Sequence, residues 1–125
     1  MSSRDIETLA TAFFEAVEAG DLDKVRSMYA PDVVVWHNFD RREQTLDENL
    51  RVLRWIVANV SERRYEDIRR VVLDDGFVQQ HVLTGIAPGG ARLDVPAMMR
   101  VWVSSGRVTR IDEYLDSAQV SVLTQ

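Results

Sequence analysis

The chain contains no cysteine, which excludes disulfides, thiolate metal sites and cysteine nucleophiles together. Its two histidines, His37 and His81, do not fall in a metal-ligand spacing with the scattered acids, so no metal is expected. Glycine and proline are sparse, six and three residues respectively, and neither a low-complexity linker nor an internal repeat is present. Long apolar runs are missing as well. The start, Met1-Ser2-Ser3-Arg4-Asp5, turns polar and then helical, so neither a signal peptide nor a membrane span is expected, and a cytoplasmic location fits. Basic charge is in deficit, with 15 Lys and Arg against 20 Asp and Glu and a net charge of -5. That balance works against a nucleic-acid partner. The pairs Arg41-Arg42, Arg63-Arg64 and Arg69-Arg70 are interleaved with acids, as in Arg63-Arg64-Tyr65-Glu66-Asp67, and read as solvated strand faces.

What is present is an ordinary globular composition, 46% hydrophobic and 28% charged over 125 residues. It is enough for a single domain, 1–125, with a core and one internal pocket. Ile6, Leu9, Ala10, Phe13 and Val17 recur at helical spacing, with Ser2 or Ser3 able to cap the start and Gly20 to end the helix. Asp21 caps a shorter helix carrying Leu22, Val25, Met28 and Tyr29, which Ala30-Pro31 breaks. Thr45 and Glu48 have capping-box spacing ahead of the stripe Leu46, Leu50, Leu53, Val57 and Val60. Strands follow from residue 62: Arg63 to Leu73, a turn at Asp74-Asp75-Gly76, then Phe77 to Thr84. A turn at Pro88-Gly89-Gly90 leads to a strand through Leu93, Val95, Met98 and Trp102, and Ser104-Ser105-Gly106 to a last strand, Arg107 to Asp116. The order helix, helix, strand, helix and four meandering strands predicts an α+β fold, a curved, mainly antiparallel sheet covered on one face by the three helices. Such a cone has an interior for a small ligand.

Between the helices lies Val33-Val34-Val35-Trp36-His37-Asn38. Its β-branched residues predict a buried strand, and an imidazole at the end of such a strand needs a partner or a task. The run Ala19-Gly20-Asp21-Leu22-Asp23, followed by Met28-Tyr29-Ala30-Pro31-Asp32-Val33, resembles the start of the NTF2-like superfamily, notably SnoaL-like polyketide cyclases and ketosteroid isomerases. Thr84-Gly85, Ser105-Gly106-Arg107-Val108 and Ile111-Asp112-Glu113-Tyr114-Leu115-Asp116 resemble its later strands. The resemblance spans nearly the whole chain and implies a cone-shaped sheet. It places the aspartate base of the ketosteroid isomerases at His37, their helix-borne oxyanion tyrosine at Phe13, and their second donor, a protonated aspartate, at or near Met98. Neither Phe13 nor Met98 can donate, so steroid isomerisation by that machinery is not implied.

From the placement of Met98, alternation turns Arg100 and Trp102 into the cavity and Met99, Val101 and Val103 outward. An inward Arg100 needs an anion, and the last strand offers Glu113, expected inward with Ile111 and Leu115; Asp112 and Asp116 are second choices. Glu113 could pair with Arg100 or with His37. His81 shares a face with Phe77 and Gln79 whose direction the sequence does not fix; it and Asn38 are ligand-contact candidates, with Phe13, Met98 and Trp102 as cavity wall. The chemistry these residues can support is proton abstraction next to a carbonyl, with His37 as base, Arg100 or a protonated Glu113 stabilising the enolate, and no cofactor. The ligand expected is a small hydrophobic or carbonyl-containing molecule. The alternatives are a non-catalytic binding or dimerisation module and, ranked below it, an epoxide hydrolase resembling limonene-epoxide hydrolases through Arg100 with Glu113 or Asp112. The resemblance implies a homodimer, and Met99, Val101 and Val103 are expected at its interface.

Overall fold

The computed structural model describes residues 1–124. Helix α1 (Ser3–Ala19) starts at a reciprocal capping box in which the Ser2 hydroxyl accepts from the Asp5 N–H and the Asp5 carboxylate accepts from the Ser2 N–H. It ends at Gly20, left-handed at φ 75°. Asp21 caps α2 (Leu22–Met28). The chain then enters β1 (Tyr29–His37) directly, so the strand takes in Ala30-Pro31 as well as the valines. A loop and the two-residue β2 (Glu43–Gln44) lead to α3 (Leu46–Asn59), whose capping box joins Thr45 and Glu48 as the sequence predicts. Strands β3 (Ser61–Leu73), β4 (Gly76–Ile86), β5 (Arg92–Ser104) and β6 (Arg107–Leu115) form the antiparallel meander, and a 3-10 helix, Ser117–Thr124, follows. Ser105 and Gly106 both have positive φ, 53° and 80°, the geometry that tightly joins β5 to β6.

The six strands form one sheet in the order β2-β1-β6-β5-β4-β3, and β1 against β6 is its one parallel pair. Curvature comes from bulges. The β3–β4 register shifts between Ser61 and Arg64 and again between Glu66 and Arg69, and Glu62 and Asp67 in these intervals sit at φ 55° and 53°. The sheet bends around the helices. Ile6, Ala10, Phe13, Phe14 and Val17 of α1 pack into the concave face against Phe77, Val101 and Val108. A second, smaller apolar cluster, Val60, Leu93 and Val95 with Ile56, Leu83, Leu115, Val120 and Leu123, forms under the C-terminal helix.

Strand β5 is turned the other way from the expectation. Leu93, Val95, Met99, Val101 and Val103 are buried, whereas Met98 is 44% exposed. The residues expected at a dimer interface, Met99, Val101 and Val103, therefore belong to the core. Every second residue from Leu93 to Val103 is apolar and the intervening set contains Asp94, Pro96 and Arg100, so burying the first set removes more apolar surface from water and leaves no charge to desolvate.

Candidate functional site

Between the two apolar clusters lies a concave space of about 390 Å³, bounded by α1, α3, the inner face of the sheet and, through Val120 and Leu123, the C-terminal helix. Its wall is mostly Val, Leu, Ile, Met and Phe. Polar groups enter from three places: His37 and Glu113 at adjacent strand ends, Tyr29, Asn49 and Gln44 on one side, and Tyr65 from β3. Phe39 and Val52, 50% and 40% exposed, mark the mouth, and Asp40 lies beside them in the wall.

His37 and Glu113 are register partners across the parallel β1–β6 pair, so their side chains leave the sheet on the same face. Nε2 of His37 donates to Oε1 of Glu113 at 2.9 Å, and the side chains are only 12% and 15% exposed. Nδ1 of His37 is buried without a hydrogen-bond partner among the described residues. Burial disfavours the imidazolium, but the hydrogen bond and charge of Glu113, with Asp40 beyond it, more than reverse that effect, and the His37 pKa is raised above 6.5. Among the described residues the second carboxylate oxygen of Glu113 meets no protein donor.

The tyrosines differ. Tyr29 donates its hydroxyl proton to Oδ1 of Asn49 at 2.6 Å, and the Asn49 amide donates to Oε1 of Gln44 at 3.0 Å. Tyr65 is held edge-on by Phe14 and His81, with ring centroids 4.9 and 4.8 Å away. Its N–H donates to Glu18 at 2.7 Å, while its hydroxyl has no protein partner among the described residues. Burial, and then the charge of Glu113, raise the pKa of both phenols well above the usual value near 10.

Of the residues singled out from sequence, Phe13, His37 and Glu113 come together on the cavity wall. Arg100, Met98 and Trp102 do not, because β5 presents its odd-numbered residues inward and Ala97 and Met99 occupy the places expected for them. The Arg100 guanidinium lies on the outer face, donating to Asp75 at 2.6 Å and to the Val101 carbonyl at 2.7 Å, 4.3 Å above the Trp102 ring. It cannot meet Glu113. Asp112 is also outside, accepting from Arg110 at 2.8 Å, and Asp116 caps the C-terminal turn at Ala118. Asn38 serves the backbone rather than the cavity: its Oδ1 accepts from the Leu115 N–H at 2.9 Å, and its own N–H donates to the Glu113 carbonyl at 3.1 Å, clipping β1 to β6.

His81 faces inward but stops behind the wall, 3% exposed. Its Nδ1 meets the Gln79 amide at 2.9 Å, Gln79 accepts from Arg70, and Arg70 reaches Glu7 on α1. Burial first, and the nearby Arg70, depress the His81 pKa. Tyr65 and the Tyr29-Asn49-Gln44 string were not anticipated. The signal for Tyr65 is an aromatic residue inside the charged run Glu62 to Asp67. Among the described residues no three His, Cys, Asp or Glu side chains gather as a metal site, and no helix is long and apolar enough to cross a membrane.

No curated protein matches the sequence. Among solved structures, a proposed polyketide cyclase from Xanthomonas campestris pv. campestris superposes with a TM-score of 0.84 at 20% identity, covering 99% of this chain and 100% of that one. An NTF2-like protein of unknown function from Burkholderia pseudomallei gives 0.82 at 19% identity over 98% of each chain. AclR, a proposed hydroxylase from Streptomyces galilaeus, gives 0.85 at 14% identity, covering 97% of this chain and 85% of that one. At such identities the likeness speaks for the fold, an NTF2-like α+β cone. Residues 10–111 match the SnoaL-like domain in sequence, and with that match spanning most of the chain, this protein belongs to the SnoaL-like domain family.

Proposed function

We propose that this protein binds a small, mainly apolar carbonyl compound and removes a proton from the carbon next to the carbonyl, as a cofactor-independent isomerase or cyclase. The observation that supports this most is the His37–Glu113 pair, 2.9 Å apart on the wall of an otherwise apolar space. A proton acceptor in such surroundings is not needed for packing. The pair acts as one unit. While Nε2 of His37 holds Oε1 and Nδ1 is sealed, the atom open to a ligand is the second oxygen of Glu113, and it takes the proton. His37 orients the carboxylate. The C–H electron pair moves into the new C=C bond of an enolate, which is reprotonated at another carbon or attacks a second carbonyl to form a C–C bond. Neither outcome requires an oxidant or reductant.

The test is hydrogen–deuterium exchange at the α-carbon of a panel of cyclic enones and 1,3-diketones in D₂O, followed by NMR. Glu113→Gln and His37→Ala are expected to slow exchange on the order of 100-fold, the usual scale of a positioned acid or base. Exchange as fast in both variants as in the parent refutes the proposal. A second reading, ligand binding without turnover, is favoured by Phe13 and Ala97 offering no hydroxyl or carboxyl; a ligand that co-purifies and is recovered chemically unchanged is its signature. The epoxide-hydrolase alternative needs an arginine among carboxylates inside the cavity. Arg100 lies outside, so that alternative loses its support.

Two copies are proposed to associate through the outer face of the sheet. The side chains that support this are Met98 and Tyr114, 44% and 50% exposed, with Trp36 packed edge-on to Tyr114 at 5.3 Å. Sedimentation of the Met98→Asp, Tyr114→Asp double variant is expected to show monomers where the parent shows dimers. A parent that is monomeric at micromolar concentration overturns the association.

A further inference from the structure

Taking a proton from carbon leaves negative charge on the carbonyl oxygen, and that oxygen needs a donor inside the cavity. Among the described residues no lysine or arginine lines the wall, and the charged groups there besides the His37 imidazole, Glu113 and Asp40, are anionic. The donor must therefore be neutral. The Tyr29 hydroxyl is already donating its hydrogen bond to Oδ1 of Asn49, and the Asn49 amide donates to Oε1 of Gln44. Tyr65 is the tyrosine in the wall whose hydroxyl proton is uncommitted. Its ring cannot swing far, being wedged between Phe14 and His81 while its N–H is tied to Glu18.

We infer that the Tyr65 hydroxyl is the donor to the ligand's carbonyl oxygen, so that the cavity takes a neutral ketone or aldehyde with its oxygen on Tyr65 and its acidic C–H toward Glu113. This rests on the proton-abstraction proposal above and adds the residue that fixes the ligand's orientation. The two groups are coupled through charge. While Glu113 is ionised it opposes negative charge near the phenol; when Glu113 takes the substrate proton, that opposition disappears as the oxygen becomes negative. The hydrogen bond from Tyr65 is thus strongest at the enolate stage, where it accelerates the reaction.

The test reads binding rather than turnover. In a Glu113→Gln background, which stands in for the protonated carboxyl, 4-nitrophenolate and a series of ring-substituted phenolates serve as enolate probes by absorbance titration. Glu113→Gln is expected to bind phenolates more tightly than the parent. Adding Tyr65→Phe is expected to weaken them on the order of 10- to 100-fold, the scale of one hydrogen bond to a charged group, and to flatten the dependence of affinity on phenol acidity. A purely structural tyrosine would not change that slope. In Glu113→Gln itself the Tyr65 hydroxyl proton is expected to move downfield when phenolate binds, a readout that needs no change at Tyr65. Equal affinities with and without the hydroxyl, no phenolate binding by Glu113→Gln, or an unmoved resonance each overturn the assignment. Loss of α-exchange on replacing His37 or Glu113 stands or falls separately.

Discussion

Replacing Glu113 with glutamine keeps the size of the side chain and removes its charge, which makes the variant a direct probe of the pair. At 2.9 Å, two unit charges attract by about 6 kcal/mol at an effective dielectric constant of about 20. Withdrawing the imidazolium from water cancels much of that gain, and the surplus expected is about 1.5–3 kcal/mol, the range for a hydrogen bond to a charged group. The sign follows from the His37 pKa, which is raised above 6.5. A group whose folded pKa is raised contributes stability that is fully present below its unfolded pKa and is lost as pH rises through the folded value. Without the Glu113 charge, burial is opposed only by Asp40, and the His37 pKa falls below 6.5. Glu113→Gln is therefore expected to lose about 1.5–3 kcal/mol at about pH 5.5 but no more than about 1 kcal/mol at about pH 9, where the neutral Nε2–H still donates to the amide oxygen. Urea unfolding at the two pH values measures the difference, and NMR titration of the two histidines measures its cause, with His81 as internal reference. An equal loss at both pH values, or an unmoved His37 midpoint, refutes the reasoning.

Tyr29→Phe leaves Oδ1 of Asn49, a residue 5% exposed, without the donor that stands 2.6 Å away, and is expected to cost about 1–3 kcal/mol in urea unfolding. The orientation of β5 is tested by neighbours: Ala97→Leu projects into the cavity and is expected to weaken a bound phenolate by at least about tenfold, whereas Met98→Leu, on the outer face, is expected to leave it unchanged. His81 has a depressed pKa, so its contribution is present above 6.5 and lost as pH falls; its NMR midpoint is expected below 6.5 while that of His37 lies above.

The helices and the meander were legible because their signals are local. Capping boxes at Ser2 and Thr45, Gly20 at a helix end and Ser105-Gly106 at a hairpin each state their conformation within a few residues. Strand β5 shows where two signals compete. Its alternation, Leu93, Val95, Ala97, Met99, Val101 and Val103 against Asp94, Pro96, Met98, Arg100 and Trp102, specified the buried face correctly, and the family comparison, placed one residue along, reversed it. A one-residue slip exchanges every side chain between cavity and solvent, so the resemblance puts Met98 and Arg100 where the structure has Ala97 and Met99. Tyr65 stays hidden for another reason: bulges flank it on both sides, between Ser61 and Arg64 and between Glu66 and Arg69, and a period-two count through Arg63 to Asp67 does not survive a register shift.

The meeting of His37 and Glu113 depends on two features with no local signature. One is the parallel pairing of β1 with β6, which brings two strand ends together at the cavity and makes these residues register partners. The other is a bulge in β6. Val103 pairs with Val108 and Trp102 with Arg110, so Thr109 is the extra residue, its hydroxyl reaching the Trp102 carbonyl at 3.3 Å. Before the bulge Val108 faces the core; after it the inward set is Ile111, Glu113 and Leu115. Without that one-residue change of phase, the inward alternation begun at Val108 would continue through Arg110, Asp112 and Tyr114, placing a guanidinium and a shorter carboxylate against the apolar wall. The bulge instead sends Arg110 and Asp112 outside, where Arg110 donates to both Asp112 and Glu43, and leaves Glu113 as the β6 carboxylate on the inner face, opposite His37. The acid–base pair is thus selected by the phase of β6 more than by its composition, which offers Asp112 and Glu113 side by side.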